Sequence, residues 1–116
     1  MNYSDLLTVP FKKRGRGCDG MDCYGLVMEC VKRDGKELRD CLPVLFGDIN
    51  EYEDKINVRE IEKPVSGCVA QFYIDRALHV GYMLDKRTVL HMTRNCARVS
   101  PVETLGNVRY YEVIND

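Results

Sequence analysis

The sequence has no run of about 18 apolar residues, which excludes a membrane-spanning helix. It has no C-x-x-C pair and no H-x-x-x-H pair, although six cysteines and two histidines are present. Structural zinc sites nearly always show closely spaced ligand pairs, so the spacing argues against a metal. Charge of one sign is also lacking. The formal net charge is −1 over 116 residues, a poor footprint for a nucleic-acid binder. No charged-then-apolar leader opens the chain, so synthesis and folding are expected in a reducing cytoplasm, with free thiols rather than disulfides.

What is present reads as one ordinary globular domain over 1–116. Hydrophobic residues make up 45% and charged residues 30%, which excludes disorder and suffices for a modest core. One basic cluster stands out: Lys12, Lys13, Arg14 and Arg16. Such runs are usually solvated loops, although this one could also pair with carboxylates of a substrate.

Residues 1–22 read as a short element and a Gly-rich loop. Residues 23–34 read as a helix, because Leu26, Val27, Cys30 and Val31 make one apolar stripe. Asp22 is a good N-cap and Gly35 a good stop. "LRDCLP" and "LFGDINEYED" carry turn residues and weak periodicity. Beyond them, segments 68–74, 78–84, 87–93 and 108–114 are rich in β-branched and aromatic residues and read as strands. Ser66-Gly67, Asp75-Arg76, Asp85-Lys86 and Gly106-Asn107 separate them as turns. One helix followed by strands predicts an α+β domain with an antiparallel sheet.

Cys23 occupies the first helical position if Asp22 is the cap. Helix N-termini carry unsatisfied N–H groups and a positive dipole end, and both favour thiolate over thiol. The competing reading is a buried small hydrophobe, the usual lot of a free cysteine. The histidines, His79 and His91, lie in consecutive strands. A two-residue loop at Asp85-Lys86 would put them on opposite faces. A three-residue loop, Leu84-Asp85-Lys86, would set His79 directly opposite His91 and demand a left-handed Lys86. Cooperation with Cys23 as nucleophile, base and orienting group requires the odd loop, or a longer odd one from Met83 to Arg87. That register would leave Gly81 beside His79, with room for substrate.

These same residues carry a family resemblance. "DGMDCYGLV" resembles the "GxDCSGLV" signature of NlpC-type cell-wall cysteine peptidases, a papain-like family. "HVGYML" followed by "VLHMT" resembles that family's "HVGIYL…xxHA" segment. "VSGCVAQF" resembles its "PGDVVFF" strand, and "VPFKKRGRG" its "PYxxGG" segment. The likeness spans roughly residues 9 to 93 and is poor over 36–65. A tyrosine after the nucleophile is similar to the phage tail-tip subset.

The resemblance implies a papain-like fold, a catalytic set of Cys23, His79 and His91, and no cofactor. It implies a peptidoglycan stem peptide as substrate, cut between D-Glu and a diamino acid, with Asp22 and Tyr24 at the substrate. It also implies phage tail proteins as partners and a virion tail acting on the cell wall. Three departures stand against it: Tyr24 for serine, Phe11 for a tyrosine near the oxyanion, and Gly67-Cys68 for Gly-Asp. A decayed tail-assembly protein, or an amidase or acyltransferase of the same fold, fits those departures.

Overall fold

A computed structural model describes residues 1–40 and 55–114. The whole of "LFGDINEYED" and the second half of "LRDCLP", from Cys41 on, lie outside them. The chain opens with a 3-10 turn, Ser4–Thr8, followed by a two-residue hairpin of β1 (Arg16–Gly17) and β2 (Gly20–Met21). Next comes helix α1, Cys23–Arg33. Strands β3 (Val58–Ile61), β4 (Val69–Ile74), β5 (Ala77–Met83), β6 (Thr88–Met92), β7 (Ala97–Pro101) and β8 (Gly106–Val113) form one antiparallel sheet in the order β3-β8-β4-β5-β6-β7. The architecture is the expected α+β domain, one helix on an antiparallel sheet.

α1 forms where its signals lie. The Asp22 side chain accepts from the Gly25 amide at 2.7 Å, and Lys32 and Arg33 occupy the last turn, where cations suit the dipole. Gly35 then turns the chain away at φ 85°, a conformation that costs a side-chain-bearing residue energy. The stripe Leu26, Val27, Cys30 and Val31 is buried on Val69, Val80, Tyr82, Leu90, Met92 and Tyr111 of the sheet. Leu26 and Val27, wholly enclosed, each contribute about 2 kcal/mol by leaving water. Arg33 forks onto Asp5 at 2.7 and 2.8 Å and ties the opening turn to the end of α1. Among the described residues no helix is long and apolar enough to cross a membrane.

The opposite face of the sheet has its own apolar layer, Ala70, Phe72, Met83 and Val89, with Cys68 beneath it. Val102 of a 3-10 turn, Val102–Thr104, and Leu105 just after it pack there, beside Val108 of β8. Three of the predicted turns, Ser66-Gly67, Asp75-Arg76 and Asp85-Lys86, form between strands. Asp75 and Arg76, both at positive φ, make a tight two-residue hairpin between Ile74 and Ala77. Asn107 is also left-handed, yet lies inside β8, near the register shift between Gln71 and Tyr73 of β4. It is a bulge, not the predicted turn.

Candidate active site

Cys23 begins α1 and Asp22 caps it, as read from the sequence. β5 and β6 stand under the helix, and their register fixes everything else. Gly81 pairs with His91, Tyr82 with Leu90, and Met83 with Val89. The Leu84 amide then donates to the Thr88 carbonyl, so the loop is Asp85, Lys86 and Arg87. The loop is odd and both histidines share a face, as cooperation requires. The register is nonetheless two residues away from the expected one. His79 does not face His91, and Lys86 is not left-handed. The cause is Asp85, whose carboxylate accepts from the amides of Arg87 and Thr88 at 2.7 and 2.8 Å. This side-chain turn replaces the left-handed residue and shifts the loop one position along the chain.

The face the histidines share is the one turned away from the helix. Alternation sends Val80 and Tyr82 to α1, and His79, Gly81 and Met83 to the other side, beside Phe72. His79 is half-buried and its ring stacks on Phe72, with centroids 6.0 Å apart and planes within 9°. His91 meets the same ring edge-on at 5.4 Å. His91 is 2% exposed; its Nε2 lies 2.8 Å from Ser100 Oγ, while its Nδ1 is buried with no partner. Burial, with Arg98 and His79 adding to it, pushes the His91 imidazole down to about 4. Burial also lowers His79, opposed by Asp75.

Cys23 reaches the strands by another route. The β5–β6 ladder stops at Gly81–His91, so Val80 and Met92 do not pair. At that open end the Val80 backbone favours the Cys23 thiolate, as does the backbone of Cys23 and Tyr24. Among the described residues Cys23 makes no hydrogen bond to either imidazole. The structure thus brings the thiol beside the backbone that carries His79, without bringing the two reactive groups into contact.

The expected thiolate is not what this setting favours. The Cys23 thiol is pushed up to about 11, chiefly by burial, against which the three amides work and to which the Asp22 charge adds. A capping carboxylate offsets the helix dipole that was to have lowered it. Desolvation therefore outweighs position.

Asp22 and Tyr24 are not at a substrate surface. Asp22 is 2% exposed, and its Oδ1 takes the Gly25 amide and Arg16 Nη1, the latter at 2.6 Å. Its Oδ2 is buried without a partner. Tyr24 is 1% exposed, donates to the Arg39 carbonyl at 2.6 Å, and carries the Arg16 guanidinium over its ring. A residue too large for a serine site has been turned into the core and pinned there.

The basic cluster is likewise divided. Lys12 pairs with Asp19 at 3.0 Å, and Arg16 is held by Asp22 and by Asp40. Lys13 and Arg14 are exposed and make no ion pair among the described residues. The room expected over Gly81 is filled: a Cβ there would lie 2.5 Å from Val89 Cγ2 and 3.2 Å from His91 Cβ. Phe11 is exposed, bridging to Met21 and donating its amide to the Asn95 carbonyl. Ser100 went unread because a serine in "ARVSP" carries no signal until β7 is known to pair with β6. Among the described residues no cluster of His, Cys, Asp or Glu is arranged to hold a metal.

No protein-family model matches the chain, and no curated protein matches it in sequence.

Proposed function

We propose that this chain is a thiol-dependent peptidase of the NlpC type that hydrolyses peptidoglycan stem peptides, acting from a phage tail. The observation that carries the reading is the place of Cys23 at the start of α1 against the sheet, where the backbone of Val80, next to the residue that supplies the base, favours its thiolate together with the Cys23 and Tyr24 backbone. Backbone amides so placed stabilise negative charge on sulfur, and then on a carbonyl oxygen bound at the same spot.

At rest the thiol is protonated and both imidazoles are neutral, so the proton must move when substrate arrives. The His79 ring leaves Phe72, swings round the open end of the β5–β6 ladder toward the helix side, and takes the proton of Cys23. The sulfur then adds to the scissile carbonyl, whose oxygen becomes an oxyanion facing the amides. Collapse of that intermediate breaks the C–N bond, and the imidazolium returns the proton to the leaving amine. Water, deprotonated by His79, hydrolyses the thioester and restores Cys23. Substrate that covers the site also strengthens the thiolate–imidazolium attraction as it expels water.

The test is incubation with peptidoglycan and with defined muropeptides, followed by mass spectrometry of the products. The reading expects cleavage between D-Glu and the diamino acid, abolished in Cys23→Ser. Absence of products from every muropeptide would overturn it. In that event the second reading applies, a tail-assembly protein with a silent site. One observation favours that alternative: burial holds the thiol protonated and His79 rests on Phe72.

A further inference from the structure

We infer that Ser100 is a positioning residue of this site, holding His91 in the tautomer that carries its proton on Nε2 and leaves Nδ1 as a bare acceptor for the His79 ring. The inference rests on the peptidase reading and adds to it a residue that neither the motif nor the strand pattern marks.

The geometry begins in the register of β6 and β7. His91 pairs with Arg98 and Val89 with Ser100, so Ser100 lies diagonally from His91 on the same face of the sheet. Ser100 is 7% exposed and His91 2% exposed, so neither group is offered to bulk water. Their contact at 2.8 Å is therefore a buried hydrogen bond and fixes the ring at Nε2. The other nitrogen, Nδ1, is buried with no partner. A buried polar atom left unsatisfied is unfavourable, and a partner arriving during the reaction would remove that penalty.

Which partner can arrive follows from the surroundings. Arg98, opposite His91, could donate, but it is exposed and its charge stays in solvent. Phe72 offers only ring carbon and hydrogen. His79 is the remaining titratable group, on the same face, half-buried and without a hydrogen bond among the described residues. As general base it must present one bare ring nitrogen to Cys23, so its other nitrogen carries the proton. That N–H needs an acceptor. His91 Nδ1 accepts only if the His91 proton sits on Nε2, donated to Ser100 Oγ. Phe72, in contact with both rings, serves as the surface across which His79 turns.

The tautomer can be read without turnover, by long-range 15N–1H NMR of the uniformly labelled chain. The expected result is Nε2–H for His91, lost or mixed in Ser100→Ala and retained in Ser100→Thr. On a muropeptide substrate, Ser100→Ala should lower kcat roughly 10- to 100-fold with KM little changed, and Ser100→Thr should restore most of it. A wild-type chain that cleaves substrate while His91 carries its proton on Nδ1 would overturn the inference and leave the peptidase reading standing. A chain with the expected tautomer and no cleavage of any muropeptide would overturn the peptidase reading and support Ser100's hold on His91. Should Ser100→Ala not fold, the wild-type tautomer still decides.

Discussion

His79 and His91 share one face of the sheet, but Gly81, not His79, stands opposite His91. The offset of two residues preserves the face and changes the neighbour. It sets the His91 ring against the glycine and leaves His79 to lie on Phe72.

That close approach makes a first prediction. Gly81→Ala forces a methyl to within 2.5 Å of Val89 Cγ2, and overpacking of this kind costs about 1–3 kcal/mol. Urea denaturation should show the loss. Val89→Ala in the same chain should recover part of it, because the clashing atom is removed. A Gly81→Ala chain as stable as wild type would contradict the packing described at this crossing.

A second concerns the thiols. With the Cys23 thiol at about 11, alkylation by iodoacetamide at pH 7 should be slow there and faster at exposed Cys18. The Cys23 rate should rise about tenfold per pH unit up to roughly pH 10, following the thiolate fraction. Cys30, pushed up to about 12 by burial, should lag further. Mapping adducts by mass spectrometry decides it, and rapid labelling of Cys23 at pH 7 would mean that the amides outweigh burial.

The histidines predict a pH dependence of stability. In the unfolded chain His91 takes up a proton below about pH 6.5, whereas in the fold it does so only near 4. The unfolded state therefore binds more protons between those values. Stability is full above about pH 6.5 and falls as the pH drops toward 4, by about 2–3 kcal/mol from this group. His79, lowered as well, adds in the same direction. Chemical denaturation at pH 7 and pH 5 should show the drop, and His91→Gln should flatten it.

Asp22 supplies the fourth. Removing it strips the cap from α1 and leaves the Arg16 guanidinium with Asp40 as its one carboxylate among the described residues. Asp22→Ala should cost about 3–5 kcal/mol. Asp22→Asn keeps an acceptor for the Gly25 amide and should cost less. Equal losses for the two variants would show that the charge, rather than the cap, dominates.

Much of this arrangement could be read from the residues. α1, its cap at Asp22 and four of the strands follow from local periodicity and turn chemistry. β3 and β7 escaped because "VREI" and "ARVSP" are short and half polar, and form strands only by pairing with β8 and β6. Tyr24 and Asp22 look like surface groups in the sequence. Their burial depends on Arg16, which comes from an earlier segment and which a basic run does not distinguish from its solvated neighbours. The thiol departs from the expected thiolate for a related reason: helix position is a local fact, but desolvation belongs to the assembled core.

The order of the sheet has a consequence for how the chain is made. β8 emerges after the other described strands of this sheet, yet it lies between β3 and β4, two strands made earlier. Until residues 106–113 have left the ribosome, β3 lacks the strand it pairs with among the described residues, and β4 presents a bare edge along the sequence VAQFYI. An unpaired edge of that composition invites pairing with another chain. Completion of the sheet also depends on contacts far apart in sequence, which favours slow, late folding. A nascent chain halted before Gly106 would thus be the aggregation-prone form of this protein, and the rate of its final strand insertion would set how much of it is lost.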